Sequence, residues 1–370
     1  MESSRRKGLA PDQYVRACSD RQTASHFGGT CSKSRDPAIA HCAINHARQR
    51  EFVNAIPSDL RAAIDQYLAE SVVGSLVKKT SRMSERYRQG GGSDGALDFG
   101  AYLVARLPAT YAAVAFCLAE LARRRPQFSP QTLLDAGSGP GTAAWAATAI
   151  YPDISAVTFL DNNLLFLKLA SSLAARSEHA ALRSASVLNA DLSSVSSEAS
   201  ADLVVAAYVL AEMPLAKASE TAVALWKACE NTLLVIEPGT PQGFARLHQV
   251  RTTLIAAGAH LIAPCTHMNS CPVLPPDWCH FSVRLPRSRE HMHAKKATVP
   301  FEDEKFSYVI ASRHPGPLHG ARILGPPTDS KAEIKFKLCT DNSLLQQSVA
   351  RRDKAEYKRV RKLVWGDLFE

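Results

Sequence analysis

Residues 133–142 read LLDAGSGPGT, an apolar run followed by an acidic residue and a turn with three glycines. The pattern predicts a buried strand at 132–136 and, after the turn, an alanine-rich helix that extends to residue 150. Thr142 stands where the dinucleotide fingerprint G-x-G-x-x-G needs its third glycine, and the Gly-Lys-Ser/Thr of a phosphate loop is absent. The turn suits instead an adenosyl ligand with an amino-acid end, because glycines let the backbone approach a ligand closely.

Strand and helix patterns alternate downstream of this turn. Strands are predicted at 156–161, 186–192, 202–207 and 232–237, with helices at 164–176, 217–228 and 241–257. Two later strands are predicted at 280–285 and 306–312. Because alternating strands and helices form a parallel sheet covered on both faces, we predict an α/β fold.

Acidic residues follow the first three predicted strands. Asp135 can receive the ammonium group of the ligand, and Asp161 can accept both ribose hydroxyls. Asp191 can meet the adenine amino group, although capping of a short helix explains it equally well. The predicted cofactor site therefore consists of Asp135, Gly137, Gly139, Gly141, Asp161 and Asp191. The turn, Asp161 and the strand order resemble the class I S-adenosylmethionine-dependent methyltransferase fold, a seven-stranded Rossmann-like domain. A tight turn without a ligand is the alternative.

Three cysteines lie in a loop that we place between the fifth and sixth predicted strands. Five residues separate Cys265 from Cys271, seven separate Cys271 from Cys279, and 59 separate Cys279 from Cys339. Four thiolates can bind zinc or an iron–sulfur cluster. Structural zinc usually needs a tight C-x2–4-C pair, which this sequence lacks, so a [4Fe–4S] cluster is favoured over zinc and over ordinary buried thiols. His267 and His280 are candidates to replace one ligand or to lie beside the ligands.

Charge is concentrated at the two ends of the chain. Residues 1–50 hold nine Lys and Arg against four Asp and Glu, residues 351–370 hold seven against four, and the rest is nearly neutral. Basic ends on a neutral body indicate arms that bind a polyanion, and nucleic acid is the expected partner. No signal peptide is recognisable, and no apolar stretch approaches the ~20 residues that span a membrane. We therefore expect a cytosolic chain without a membrane partner, whose nine cysteines are mostly reduced thiols or metal ligands.

Five segments are predicted along the chain. They are a disordered basic extension at 1–54, a helical segment at 55–97, a methyltransferase-like domain at 98–314, its cysteine-rich insertion at 260–285, and a C-terminal extension at 315–370. The last segment carries Cys339, a strand at 334–338 and a basic helix at about 349–364. Ser58 is the predicted cap of a helix at 59–76.

Several motifs together resemble one family, the Rsm-type methyltransferase-like family of the mitochondrial small ribosomal subunit. The motifs are YLVARLPATY at 102–111, the turn at 135–141, Pro264-Cys265, Cys271-Pro272, WCHF at 278–281, Leu338-Cys339, Arg361-Lys362 and Trp365-Gly366-Asp367. The resemblance covers about residues 55–369. It implies an S-adenosylmethionine-binding protein that acts in assembly or translation on the small ribosomal subunit and its rRNA. It also implies that Cys265, Cys271, Cys279 and Cys339 hold a [4Fe–4S] cluster. The location implied is the cytoplasm for a bacterial member and the mitochondrion for a eukaryotic one, and we expect a monomer.

No catalytic residue can be assigned from the sequence. Residues 206–214, AAYVLAEMP, lack the Asn/Asp-Pro-Pro-aromatic motif of base N-methyltransferases. Tyr208 and Glu212 in this segment either line the pocket or are helix-packing and surface residues, and we favour the second interpretation. The first hypothesis is therefore an RNA-binding assembly factor on a methyltransferase scaffold. The alternatives are an active methyltransferase of rRNA or a ribosomal protein, and a zinc-stabilised RNA-binding module.

The basic C-terminal helix is predicted to contact RNA. Seven cations occupy the twelve positions 351–362. On a helix with ~100° per residue, five of them fall on one broad face, namely Arg351, Lys354, Lys358, Arg361 and Lys362. A solvated helix face is the alternative explanation for such a run.

Overall fold

The strand predicted before the glycine turn lies inside the larger of two β-sheets. The computed structural model describes five stretches of the chain, residues 56–70, 99–195, 199–289, 291–292 and 298–370. The disordered extension predicted for 1–54 lies outside the described residues, as does 71–98, which includes the end of the first predicted helix. That helix begins at Ser58, so Ser58 is its first residue rather than its cap.

Eight strands form the larger sheet. They are β1 (Thr132–Ala136), β2 (Ala156–Asp161), β3 (Ser186–Asn189), β4 (Ala201–Ala207), β5 (Cys229–Pro238), β6 (His260–Ala263), β7 (Phe281–Pro286) and β8 (Phe301–Ser312). Eight helices accompany them in the described residues. They are α1 (Ser58–Glu70), α2 (Phe99–Ala105), α3 (Leu107–Arg124), α4 (Thr142–Ile150), α5 (Leu164–Ala174), α6 (Ala180–Arg183), α7 (Leu215–Ala228) and α8 (Pro241–Ala256).

The strand order is β3-β2-β1-β4-β5-β8-β6, with β7 paired to β8 outside this path. Strands β1 to β5 run parallel to their neighbours, whereas β8 is antiparallel to β5, β6 and β7. A parallel sheet with one antiparallel strand inserted before the last is the arrangement of the class I methyltransferase fold, which confirms the predicted fold class. The parallel registers bring the carboxyl ends of β1, β2 and β4 to one edge.

The sixth core strand was not recognised in the sequence. It is the four-residue β6, His260–Ala263, and the segment predicted as the sixth strand is instead β7, which forms a hairpin with β8. The cysteine-rich loop therefore follows β6 rather than preceding the sixth strand. A strand of four residues directly after the Gly258 turn is too short to give a recognisable alternation.

Helices cover both faces of the sheet, as predicted. On one face α3, α4 and α5 bury residues such as Trp145 and Phe159, and on the other α7 and α8 bury Trp226 and Leu254. The predicted helical block before Pro126 is broken into α2 and α3, which meet at 45°. Within the described residues no single helix has the length and composition of a membrane span, although this bent pair does when its two helices are combined.

A second, five-stranded sheet is formed by the C-terminal residues. Its strands are β9 (Ala321–Ile323), β10 (Thr328–Asp329), β11 (Glu333–Cys339), β12 (Leu344–Ala350) and β13 (Leu368–Phe369). The predicted basic helix at 349–364 is wrong in its bounds, because the helix α9 is only Lys354–Val360. Val349 pairs with Ile334 in the β11–β12 hairpin, and Asp353 caps α9 by accepting a hydrogen bond from the Glu356 amide.

One buried ion pair joins the second sheet to the core. The guanidinium of Arg322 in β9 lies 3.0 Å from a carboxylate oxygen of Glu120 in α3, and both side chains are buried. Burial works to raise the pKa of Glu120, but Arg322 and Arg123 hold it below its ordinary value. The pair therefore stabilises the fold above the ordinary pKa of Glu, and this contribution is lost as the pH falls through the lowered pKa.

We expect Glu120→Gln to destabilise the protein by about 3 kcal/mol, because it leaves the buried Arg322 without its counter-charge. The free energy of unfolding from urea titration at pH 7 measures the loss. Glu356→Gln, which removes a carboxylate from an exposed pair with Arg359, is the control and should change stability little. Equal effects of the two substitutions would contradict the role of the buried pair.

Candidate functional site: a pocket at the sheet edge and a cysteine pocket

A pocket of about 950 Å³ opens at the carboxyl edge of the larger sheet. Ligands of open α/β sheets bind at this edge, beyond the ends of the strands. The wall contains residues that follow β1, β2, β3 and β4. It includes four of the six predicted cofactor residues, namely Gly137, Gly139, Asp161 and Asp191.

Asp161 and Gly139 are joined across the pocket wall. The amide of Gly139 donates a hydrogen bond of 2.8 Å to one Asp161 carboxylate oxygen, and the amide of Asn163 donates one of 2.8 Å to the other. Burial raises the pKa of Asp161, and these backbone hydrogen bonds oppose the rise. Because each carboxylate oxygen has two acceptor positions, Asp161 keeps capacity for two hydroxyl donors.

Gly139 leaves open space where a side chain would stand. Its φ is 51°, in the left-handed region that glycine adopts without steric cost. A Cβ built on it would meet only the Tyr102 hydroxyl, at 3.7 Å. A larger side chain at this position would therefore extend into the pocket.

Asp135 and Gly141 lie beneath the turn rather than in the pocket wall. The Asp135 side chain is 2% exposed and accepts a 2.9 Å hydrogen bond from the amide of Ala144, in the first turn of α4. Burial raises the pKa of Asp135 to about 8. A Cβ on Gly141 would come within 2.8 Å of the Phe159 ring. Both residues thus shape the turn, and direct contact with a ligand stays a prediction for them.

Asp191 combines the two roles that were considered for it. Its carboxylate accepts a 2.8 Å hydrogen bond from the amide of Ser193 and so caps the short 3-10 helix Leu192–Ser194. It also lines the pocket, 3.7 Å from the Lys217 ammonium. Hydrogen bonds from Ser193 and the charge of Lys217 lower the pKa of Asp191.

Tyr208 lies in the pocket wall and also packs in the hydrophobic core, so both interpretations of it hold. It directly follows β4 and has a φ of 63°, and it is the one non-glycine residue with positive φ in the described part of the chain. Such a backbone conformation costs of order 1–3 kcal/mol and is concentrated at functional sites. The Tyr208 hydroxyl donates a 2.8 Å hydrogen bond to Glu304, which pairs at 3.6 Å with Arg106. No sequence pattern signals a left-handed tyrosine.

Glu212 also lies in the pocket wall, where its side chain is exposed, so its interpretation as a surface residue is confirmed. Burial, with a smaller contribution from Asp161, raises the pKa of Glu212 to about 7. It belongs to the short 3-10 helix Leu210–Glu212, which follows β4.

All four predicted metal ligands line a second pocket, which has a volume of about 500 Å³. Cys265, Cys271 and Cys279 come from the loop after β6, and Cys339 comes from the end of β11. Burial raises the pKa of the Cys279 thiol well above its ordinary value, and the other three cysteines raise it further. Among the described residues, however, no three or more His, Cys, Asp or Glu side chains are grouped so that they could hold a metal ion.

The two candidate histidines occupy different positions. Nε2 of His267 lies 3.9 Å from the Cys339 sulfur, and the side chain is buried. His280 instead stacks on Trp278, with ring centroids 5.1 Å apart, and its backbone oxygen accepts a hydrogen bond from the Trp365 indole. His267 therefore stays beside the cysteine pocket, whereas His280 belongs to an aromatic contact with the C-terminal Trp365.

The sheet order and the pocket at the glycine turn define a protein of the class I methyltransferase fold. The family model described as "Mitochondrial small ribosomal subunit Rsm22" matches residues 96–370. The chain belongs to this Rsm22 family.

Two curated relatives agree with this assignment. The human protein "Ribosome assembly protein METTL17, mitochondrial" is 32% identical over 291 residues, which cover 72% of this chain and 61% of that protein. The fission yeast "Rsm22-cox11 tandem protein 2, mitochondrial" is 25% identical over 324 residues, which cover 73% of this chain and 42% of that protein. The chain thus spans less than two thirds of the length of either relative.

Solved structures of methyltransferases are also similar to this chain. Magnesium protoporphyrin IX methyltransferase from Synechocystis PCC 6803 with bound S-adenosylmethionine has a TM-score of 0.38 and 15% identity, covering 66% of this chain and all of that one. N-methyltransferase NodS from Bradyrhizobium japonicum WM9 with S-adenosyl-L-homocysteine has a TM-score of 0.38 and 12% identity, covering 63% and 97%.

We expect Gly139→Arg to weaken S-adenosylmethionine binding by at least about tenfold, or 1.4 kcal/mol, because its side chain enters the pocket. Calorimetric titration measures the affinity, and circular dichroism checks folding. The control is Gly258→Arg. Gly258 also has a positive φ, no atom lies within 4 Å of a Cβ built on it, and it lies outside the pocket wall. Unchanged affinity in Gly139→Arg would show that S-adenosylmethionine does not bind in this pocket.

Proposed function

We propose that this chain binds S-adenosylmethionine, holds an iron–sulfur cluster and acts on the small ribosomal subunit as a methyltransferase-like assembly or translation factor. Family membership over residues 96–370 supports the ribosomal role, since the human relative is named a ribosome assembly protein. We further propose a monomer that acts in the cytoplasm of a bacterium or in the mitochondrion of a eukaryote. The two relatives are named mitochondrial proteins.

The hydrogen bond from Gly139 to Asp161 is the observation that carries the ligand proposal. It fixes the glycine turn against the acidic end of β2, at the edge where the pocket opens. Asp161 would accept the ribose hydroxyls, and Asp191 would meet the adenine amino group. Gly137 and Gly139 would let the backbone approach the ligand, while Asp135 and Gly141 would support the turn from below.

The cysteine pocket fits a thiolate-ligated centre in the chemistry of its donors. Four sulfurs line the pocket, and among the described residues no Asp or Glu does. Sulfur donors without carboxylates suit iron–sulfur clusters and zinc better than hard cations. Cys265, Cys271, Cys279 and Cys339 would hold the [4Fe–4S] cluster, and zinc is the second candidate. When bound, the cluster would supply a link between the loop after β6 and the C-terminal sheet.

Exposed cations of the C-terminal segment are the proposed rRNA contact. Arg351 is withdrawn from the predicted set, because its guanidinium forms a 2.8 Å ion pair with Asp329. Four members of that set remain exposed and have no ion pair within the described residues, namely Lys354, Lys358, Arg361 and Lys362. Clustered, exposed cations of this kind neutralise phosphate groups on RNA.

Methyl transfer is the second candidate function. The strained Tyr208 favours it, because the residue occupies the pocket wall directly after β4, beside the proposed ligand. Glu212, with its pKa raised to about 7, would be able to take up or release a proton there. The acceptor would be rRNA or a ribosomal protein.

We expect simultaneous replacement of Lys354, Lys358, Arg361 and Lys362 by Ala to weaken binding of small-subunit RNA. Each lost phosphate contact should reduce the slope of log affinity against log salt by about one. Filter binding across a salt series measures both quantities. The control removes the same charge from exposed positions of the methyltransferase-like domain and the preceding helix, with Ala at Arg61, Lys168, Lys227 and Lys305. Parental affinity and slope in the C-terminal variant would mean that RNA binds elsewhere.

A further inference from the structure

Two buried arginines line the cysteine pocket. Arg251 is 6% exposed and comes from α8 of the methyltransferase-like core, and Arg322 is 2% exposed and comes from β9 of the C-terminal sheet. Guanidinium groups stay charged in proteins, so each brings a positive charge into a pocket whose exposed wall is almost entirely apolar. A buried charge is costly unless an opposite charge or hydrogen bonds compensate it.

Arg251 contacts the cysteine loop directly. Its Nε donates a hydrogen bond to the Cys265 sulfur at 3.3 Å, and its Nη2 donates to the backbone oxygens of His267 and Asn269 at 3.3 and 2.7 Å. Within the described residues, no carboxylate lies at ion-pair distance from Arg251. Its charge is thus solvated by sulfur and carbonyl dipoles but is not balanced.

Arg322 keeps one donor group unused. Its Nε and Nη1 donate to the backbone oxygens of Pro264 and Gly366, each at 2.7 Å, and Nη1 also pairs with Glu120. Its Nη2 is buried without a hydrogen-bond partner among the residues that the structure describes. Glu120 also forms an ion pair with Arg123, so two positive charges face one carboxylate.

We propose that Arg251 and Arg322 are the built-in counter-charges of an anionic centre on the four cysteines, and that Arg251 sets its reduction potential through Cys265. This inference rests on the proposed cluster. A [4Fe–4S] centre with four thiolates is a net anion, because the thiolate charges exceed the charge of the oxidised core. Two buried cations would balance it, and a hydrogen bond to a ligand sulfur favours the reduced form.

The test compares Arg251→Met with Arg251→Lys in anaerobically purified full-length protein. Iron and sulfide content are measured first, and the midpoint potential is then obtained by redox titration followed by visible absorption. We expect Arg251→Met to shift the potential to more negative values. The reduced cluster carries one more negative charge, and in this variant it would lack both the nearby cation and the hydrogen bond that stabilise that charge. Arg251→Lys keeps the charge and should recover part of the shift, even if Arg251→Met retains only part of the iron.

Arg125→Met is the control, because Arg125 is partly buried, donates hydrogen bonds to Asn231 and Ser312, and lies outside the pocket lining. It should lower stability without a comparable shift in potential. If the clusters retained in Arg251→Met had the same potential as those of the wild-type protein, the inference would be overturned. Arg251 would then only hold the cysteine loop in place. Wild-type protein without sulfide, or with stoichiometric zinc, would instead overturn the proposed cluster and with it the basis of the inference.

Discussion

The buried guanidinium of Arg322 joins the three parts of this structure. It pairs with Glu120 in a core helix, donates to Pro264 at the start of the cysteine loop, and donates to Gly366 near the C-terminus. A buried charge in such a position tolerates little movement of its partners, because each lost contact leaves a desolvated donor. The second sheet is therefore held in a defined position against the methyltransferase-like core.

This arrangement separates ligand binding from attachment of the C-terminal sheet. The pocket with Asp161 and Gly139 lies at the carboxyl edge of β1 and β2, where glycines and backbone amides do most of the positioning. The cysteine pocket lies where the loop after β6 meets the end of β11. In the proposed function, the scaffold keeps its ligand site while the cysteines and arginines hold a basic segment in place.

The sequence predicted the elements whose patterns are local. The bounds of β1 and β2 agree with the prediction, because a continuous apolar run before a glycine or acidic turn is unambiguous. The short β6 was missed, because four residues give no recognisable alternation. The basic helix was predicted too long, because residues 349 and 350 pair with β11 as part of β12 in spite of the helical charge pattern. The positive φ of Tyr208 and its hydrogen bond to Glu304, 96 residues away in the sequence, have no local pattern that could have predicted them.

We propose that a metal centre on the cysteines ties the C-terminal sheet to the core. Amide hydrogen exchange, compared by mass spectrometry between cluster-containing protein and the same protein after iron removal, tests it most directly. We expect β9 and β11 to lose protection together with the loop at 265–280, while β1 and β4 keep theirs, because only the former segments meet at the cysteine pocket. Identical exchange of all these segments before and after iron removal would contradict the claim.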